Sequence, residues 1–213
     1  VIPASSATKE NIALVANGEV YNHELLFERI VDECGVDKDT RISRSDCEII
    51  LHSYKHLGVE ATAKSLDGMF AFVLVDEPKN TLFAARDPCG IKPLYYATTS
   101  NGSIAGFASE LKSLVDLPGI SSIMEFPNGH YFTPETGFVQ YYDPSWKRFA
   151  DEGTEEAKNA PWKTGSEPSP ETLVDTLDHA VKKRLMADVK FGMFLSGGID
   201  SCIVGQLMMK HCR

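Results

Sequence analysis

Hydrophobic residues along the first three quarters of the chain come in short bursts. "IALVANG", "MFAFVLVD", "TLFAARD", "PLYYATT", "SIAGFAS" and "FVQYYD" are each about one strand long. They are rich in β-branched or aromatic residues and separated by Gly, Pro, Asn or Asp. Such spacing predicts antiparallel sheet. Two stretches interrupt it with a helical period. In "NHELLFERIVDEC" Leu25, Leu26, Ile30 and Cys34 share a face, and in "SDCEIILHSYKHLG" Ile49, Ile50, Tyr54 and Leu57 do. Amphipathic helices laid on antiparallel sheet give an α+β layered domain, placed here at residues 1–144.

The pattern then changes. Residues 145–168 are polar, rich in Glu, Gly, Ser and Pro, and aperiodic, which predicts a linker. Ser169 offers an N-cap and Pro170 a first helical residue, opening a helix with Leu173, Leu177, Val181 and Leu185 four apart. "VKFGMFLS" is apolar on both alternations apart from Lys190, so it predicts a strand buried on both faces. "SCIVGQLMMKHC" is helical again. Helix, strand, glycine loop and helix over 169–213 form the opening unit of an α/β domain. One such unit alone should leave its apolar strand uncovered.

Composition narrows the function classes. The 213 residues are 43% hydrophobic, enough for a sizeable core. The net charge is −9, and Lys and Arg are scattered among the acids, which argues against a nucleic-acid partner. No apolar run approaches the roughly 20 residues of a membrane helix, and the start lacks a secretory pattern; a cytoplasmic protein is expected. The five cysteines form no CxxC pair, and the six histidines no H-E-x-x-H pattern. They read as reduced thiols and ordinary imidazoles, with no metal site.

Four motifs carry candidate chemistry. In "FLSGGIDS", Gly197 and Gly198 let backbone N–H groups approach a phosphate, and Ser196 and Ser201 add hydroxyls at a helix N-terminus. The same stretch also fits an ordinary strand-to-helix turn. Asn17-Gly18 is a turn signal, or else a side-chain amide beside an unhindered N–H, the makings of an oxyanion hole. Asp46 sits at a helix start, where a carboxylate caps N–H groups or receives a cation. "ARDPCGIKPLYY" reads as a rigid hairpin fixed by Pro88 and Pro93, with Cys89 structural.

The order of these motifs is more specific than any one of them. "NGEVYNH", "SDCE", "LDGMFAFVL", "ARDPCGIKPLYY", "FASELKSL", "FPNGHYF", "RLMADV" and "FLSGGIDS" together resemble the glutamine-hydrolysing asparagine synthetases. The resemblance implies a four-layer α-β-β-α class II amidotransferase domain that frees ammonia from glutamine. It also implies an ATP-pyrophosphatase domain that joins that nitrogen to aspartate, converting ATP to AMP and pyrophosphate with Mg²⁺. By position it implies Asn17 and Gly18 as the oxyanion hole and Glu19 and Asp46 as holders of the glutamine amine. Leu195, Ser196, Gly197, Gly198, Asp200 and Ser201 would be the ATP site. Glutamine, aspartate and ATP are the implied partners, and the resemblance admits a homodimer.

In such enzymes the nucleophile is an N-terminal cysteine whose own α-amine is the base. The chain starts at Val1 and stops soon after the glycine loop, so truncation at both ends is expected on this resemblance. Two alternatives share the architecture: a β-lactam synthetase-like relative, and a non-catalytic paralogue acting as a binding module.

Overall fold

The computed structural model describes residues 2–3, as backbone, and 11–144, 154–159, 169–187 and 189–212. The chain divides into two compact units, Val1–Asp143 and Pro144–Arg213.

The first unit contains two antiparallel sheets. One holds six strands: β1 (Ile2–Pro3), β2 (Ile12–Val20), β3 (Gly68–Asp76), β4 (Thr81–Arg86), β8 (His130–Thr133) and β9 (Gly137–Gln140), side by side in that order. The other places β5 (Tyr95–Thr99) between β6 (Ile104–Ala108) and β7 (Ile120–Glu125). Helices α1 (His23–Cys34), α2 (Ile49–Leu57) and α3 (Val59–Ser65) lie on the first sheet; the short α4 (Lys112–Val115) lies by β6.

Strand alternation builds the layers. Leu14, Val20, Phe70, Phe72, Leu74 and Phe83 point to the helices and pack with Leu26, Phe27, Ile30, Ile49, Ile50 and Tyr54. The opposite faces of β3 and β4 send Ala71 and Ala84 against Leu94 and Phe126 beside the second sheet, with Val73, Tyr96, Phe107 and Phe132 around them. Beyond that sheet, buried Leu114 of α4 covers Gly106. The α+β layering is therefore as expected. Each large side chain so buried contributes roughly 1.5–3 kcal/mol. Phe72 and Phe83 meet edge to face at 5.0 Å, fixing β3 against β4.

The apolar face of α1 is not the one expected. Leu26, Phe27 and Ile30 are buried, whereas Leu25 is 71% exposed and Cys34 is exposed. Phe27 is buried in this face instead, and His52 of α2 meets its ring edge-on at 5.1 Å. The helix stops at Gly35, whose φ of 68° allows its N–H to reach the Val31 carbonyl.

The connection after β4 is not a hairpin. β4 and β5 belong to different sheets, so "DPCGIKP" is a crossover. Polar anchors shape it. The buried Asp87 carboxylate accepts N–H bonds from Cys89, Ile91, Lys92 and Phe70. Buried Arg86 donates to the carbonyls of Lys92, Gly90 and Phe126 and to Glu125.

In the second unit, α6 (Pro170–Lys183) begins as expected, with Ser169 Oγ accepting the Thr172 N–H at 3.2 Å. Asp178 of α6 receives Lys210 Nζ at 2.9 Å and pairs with His211 Nε2 at 2.8 Å, both near the end of α7 (Ile199–His211). Within 145–168, Glu155–Lys158 forms a helical turn, α5; 145–153 and 160–168 lie outside the described residues. The expected strand over "VKFGMFLS" does not form. A strand needs a neighbour for its N–H and C=O groups, and no ladder among the described residues reaches this stretch. Phe191, Phe194 and Leu195 are exposed along it. No helix among the described residues is long and apolar enough to cross a membrane.

Candidate active site

Strand β2 turns one edge to β3, and among the described residues no strand pairs with its other edge over its second half. The register pairs Asn17 with Ala71, Gly18 with Phe70 and Val20 with Gly68, whereas β1 reaches only Ala13 and Leu14. Tyr21 N–H donates to the Asp67 carbonyl at 2.7 Å, which fixes the alternation of the ladder. Odd-numbered residues exchange hydrogen bonds with β3, and the main-chain groups of Gly18 and Val20 face the open edge.

A 3-10 turn, Asp46–Glu48, closes over that edge. Asp46 Oδ2 accepts the Val20 N–H at 2.6 Å, and Cys47 Sγ donates to the Gly18 carbonyl at 3.6 Å. Asp46 is thus not the N-cap that its position suggested. Ser45 precedes the turn in extended conformation, and the Asp46 side chain reaches 26 residues back instead of capping its own helix. The Gly18 N–H remains directed outward beside the exposed side chain of Asn17.

Gly18 is obligatory here. Its φ is +148°, and a Cβ would lie 2.1 Å from the Met69 carbonyl oxygen. Gly68 has the reciprocal constraint, 2.1 Å from the Glu19 carbonyl oxygen. Two glycines therefore bring β2 and β3 close at this point. On the face away from the helices, Val15 and Asn17 join Ala71, Val73, Leu94 and Phe107 around a cavity of about 290 Å³.

The site is acidic. Cys47 is buried, and burial first, then the Asp46 and Glu19 carboxylates, push its thiol up to about 12, with Lys92 opposing. That thiol is protonated at neutral pH and is no nucleophile. The structure thus brings Asn17, Gly18, Glu19 and Asp46 to one strand edge. Cys47 and Glu48 belong to the same constellation, and so does Asp87, which holds the Phe70 N–H opposite Gly18. All three lie in the stretches "SDCE" and "ARDPCGIKPLYY", but the sequence assigns none of them a role at the site, since Cys47 and Asp87 act on partners distant in the chain.

In the second unit, Ser196, Gly197, Gly198, Asp200 and Ser201 surround the start of α7, and Leu195 is exposed just before it. Ser196 Oγ and Ser201 Oγ are 3.0 Å apart, and Ser201 Oγ donates to the Gly198 carbonyl at 2.9 Å. Gly197 has φ +82° with nothing within 4 Å of where a Cβ would stand. No side chain caps the helix, so its first N–H groups stay available to an anion. The described residues hold no cluster of three potential metal ligands.

Comparison with known proteins decides the family. The family model of the glutamine amidotransferase domain matches residues 3–137, which contain the whole first site. The chain belongs to the glutamine amidotransferase domain family. A second model, asparagine synthase, matches residues 172–213 behind this amidotransferase domain. A probable glutamine-hydrolysing asparagine synthetase from Dictyostelium discoideum is 39% identical over 96% of this chain and 34% of its own length. Asparagine synthetase 2 of Arabidopsis thaliana is 39% identical over 95% of the chain and 31% of its own. A probable synthetase from Schizosaccharomyces pombe is 40% identical over 94% and 33%. The chain spans about a third of the length of these curated relatives.

Solved structures agree on the fold of the amidotransferase domain. The allosteric regulatory enzyme of purine biosynthesis aligns with TM-score 0.51 and 21% identity over 68% of this chain and 31% of its own. Glutamine phosphoribosylpyrophosphate amidotransferase from B. subtilis aligns with TM-score 0.50 and 17% identity over 87% and 40%.

Proposed function

We propose that the chain is the amidotransferase part and the opening of the synthetase part of a glutamine-dependent asparagine synthetase. The reaction of the whole protein would move the amide nitrogen of glutamine to aspartate, with ATP converted to AMP and pyrophosphate. The observation that carries this reading is the open edge of β2. There one outward N–H, one free-standing amide and two carboxylates meet, the set that a glutamine amide and its α-amine require.

In this reading a thiolate attacks the glutamine amide carbon, and the carbonyl oxygen becomes an oxyanion. Gly18 N–H and the Asn17 amide donate to it; two fixed donors at a developing charge are a large part of such catalysis. The carbon–nitrogen bond breaks and ammonia leaves with a proton. Water then cleaves the thioester to glutamate. Glu19 and the Asp46 oxygen not bonded to Val20 receive the α-ammonium, a pairing that selects an amino acid over a simple amide. The nucleophile would be a cysteine whose own free α-amine takes the thiol proton. The five cysteines of this chain are internal and lack that amine.

The glycine loop before α7 suits the phosphates of ATP. Its N–H groups and the Ser196 and Ser201 hydroxyls are the donors, and no Cβ intervenes at Gly197. Mg²⁺ would arrive on the phosphates, for only Asp200 offers a carboxylate among residues 195–201.

The test uses the full natural reading frame. It should encode Met-Cys-Gly upstream, and the purified product should form asparagine and AMP from aspartate, ATP and glutamine. Asn17→Ala should cut the glutamine-dependent rate about hundredfold while leaving the rate with added ammonia intact. Loss of neither rate, or of both equally, would overturn the assignment of the first site.

A further inference from the structure

Glu48 ends the turn that begins with Asp46, and it is among the most deeply enclosed charges of the first unit, 1% exposed. Every polar contact of its carboxylate is local. Oε1 accepts the Ile42 N–H at 2.7 Å and lies 3.3 Å from His52 Nε2. Oε2 accepts the Ser43 N–H at 2.7 Å and the Ser43 hydroxyl at 2.6 Å. Ser43 Oγ in turn accepts the Ser45 N–H at 3.1 Å, and Ser45 O accepts the Glu48 N–H at 3.1 Å. The circuit closes on itself, and Asp46 and Cys47 are the residues it encloses.

A buried carboxylate is costly unless its lone pairs are filled, and an apolar side chain could occupy the same volume. What the acid adds is a fixed path for segment 42–45. That segment has no strand or helix of its own to hold it. Among the described residues the Asp46 carboxylate is held by the Val20 N–H at 2.6 Å and by a long contact from the Cys47 thiol of the same turn at 4.0 Å, so its position depends on where the turn is delivered.

We propose that Glu48 is a positioning residue: by clamping Ile42 and Ser43 it sets the Asp46 carboxylate on the open edge of β2, where the α-ammonium of glutamine is read. The inference rests on the reading of Asp46 given above. The Glu48 carboxylate acts through Asp46, its own partners being Ile42, Ser43 and His52. Gln at position 48 keeps the volume but supplies a donor where Ile42 N–H already donates, so half of the clamp is lost.

Two measurements on the 213-residue chain test this. Amide exchange at Val20 reports the Asp46 contact without any ligand. In Glu48→Gln it should quicken at least about tenfold, with Phe72 and Leu74 unchanged. Unchanged exchange at Val20 would overturn the clamp even if glutamine binds, and faster exchange at all three amides would reduce Glu48 to general stability. Calorimetric titration then compares L-glutamine with 4-carbamoylbutanoate, which lacks the α-amine. Glu48→Ala should weaken glutamine about tenfold and the analogue less than about twofold, and should add nothing in an Asp46→Asn background.

Equal weakening of both ligands, or additivity with Asp46→Asn, would sink the inference and leave the site assignment standing. Absence of any glutamine binding by the unaltered chain, with Val20 exchange still dependent on Glu48, would sink the glutamine reading instead. Should Glu48→Ala fail to fold, Glu48→Gln carries the same titrations.

Discussion

The Cα of Gly18 and the carbonyl of Met69 stand so close that a β-carbon on Gly18 would fall 2.1 Å from the Met69 oxygen. The strand pair is drawn in at the point where one N–H must stay unencumbered on the far edge. Gly18→Ala must therefore push β2 off β3 and leave a backbone angle that an L-residue rarely adopts. We expect a loss of about 1–3 kcal/mol in urea unfolding. In the full-length protein, glutamine hydrolysis should fall by about two orders of magnitude, with ammonia-dependent synthesis retained. A wild-type glutaminase rate in the alanine variant would contradict the role given to this N–H.

Asp87 ties the crossover to the same place. Its carboxylate takes four main-chain N–H groups, one of them that of Phe70, the register partner of Gly18. Asp87→Asn swaps one oxygen for an NH₂ group facing donors. Burial leaves the Phe70 N–H nothing else to bond. The expected cost is about 3 kcal/mol. Because Phe70 is involved, glutamine affinity should fall along with the thermal midpoint, whereas substitution of exposed Cys89 by Ser should change neither.

Much of this was legible from local sequence. Ser169 and Pro170 announce α6, and six short apolar bursts give six strands, because each signal involves neighbours in the chain. The strands β1, β7 and β8 and the short helices α3 to α5 were missed. Ile120–Glu125, for example, carries two serines and no apolar alternation, and pairs only because β5 offers an edge. Asp46 was recognised as chemistry but misplaced as a cap, since its partner Val20 is 26 residues away. The crossover passed for a hairpin because two prolines look alike in either. Its shape comes from Arg86 and Asp87 acting at a distance. "VKFGMFLS" has the composition of a strand, but strand formation needs a second strand, which composition does not supply.

Cys47 offers a test by pH. Its thiol is held near 12, so at pH 8 the thiolate fraction is on the order of one in ten thousand. Cys34, Cys89, Cys202 and Cys212 are exposed. Iodoacetamide at pH 8 should modify those four in the folded chain and spare Cys47, with all five labelled in urea. The raised value also means that Cys47 supports folding fully below its unfolded value of about 8.5 and loses that support as pH rises toward 12. Cys47→Ser should accordingly narrow its stability difference from wild type across that alkaline range. Rapid labelling of Cys47 at pH 8 would show that the turn opens and that the Gly18 contact is not maintained.

Asp76 tests the opposite, acid, side. It closes the β3–β4 hairpin from a buried position: Oδ2 accepts the Tyr54 hydroxyl at 2.8 Å and lies 3.1 Å from Lys79 Nζ, while Oδ1 accepts the Lys79 N–H at 3.1 Å. Burial opposes ionisation, but the Tyr54 and Lys79 contacts outweigh it and hold the carboxyl below the usual range. A depressed acid binds its proton less readily folded than unfolded, so its stabilisation is complete above about pH 4 to 5. It fades as pH falls through the lowered folded value. Asp76→Asn should cost about 1–3 kcal/mol at pH 7, because the Tyr54 hydroxyl and the hairpin N–H lose a charged acceptor. Urea unfolding at pH 7, 4 and 2 should show the gap between variant and wild type closing only at the most acidic point. A gap that is the same at all three values would mean that the carboxylate is not ionised in the fold, and that Tyr54 bonds a neutral group.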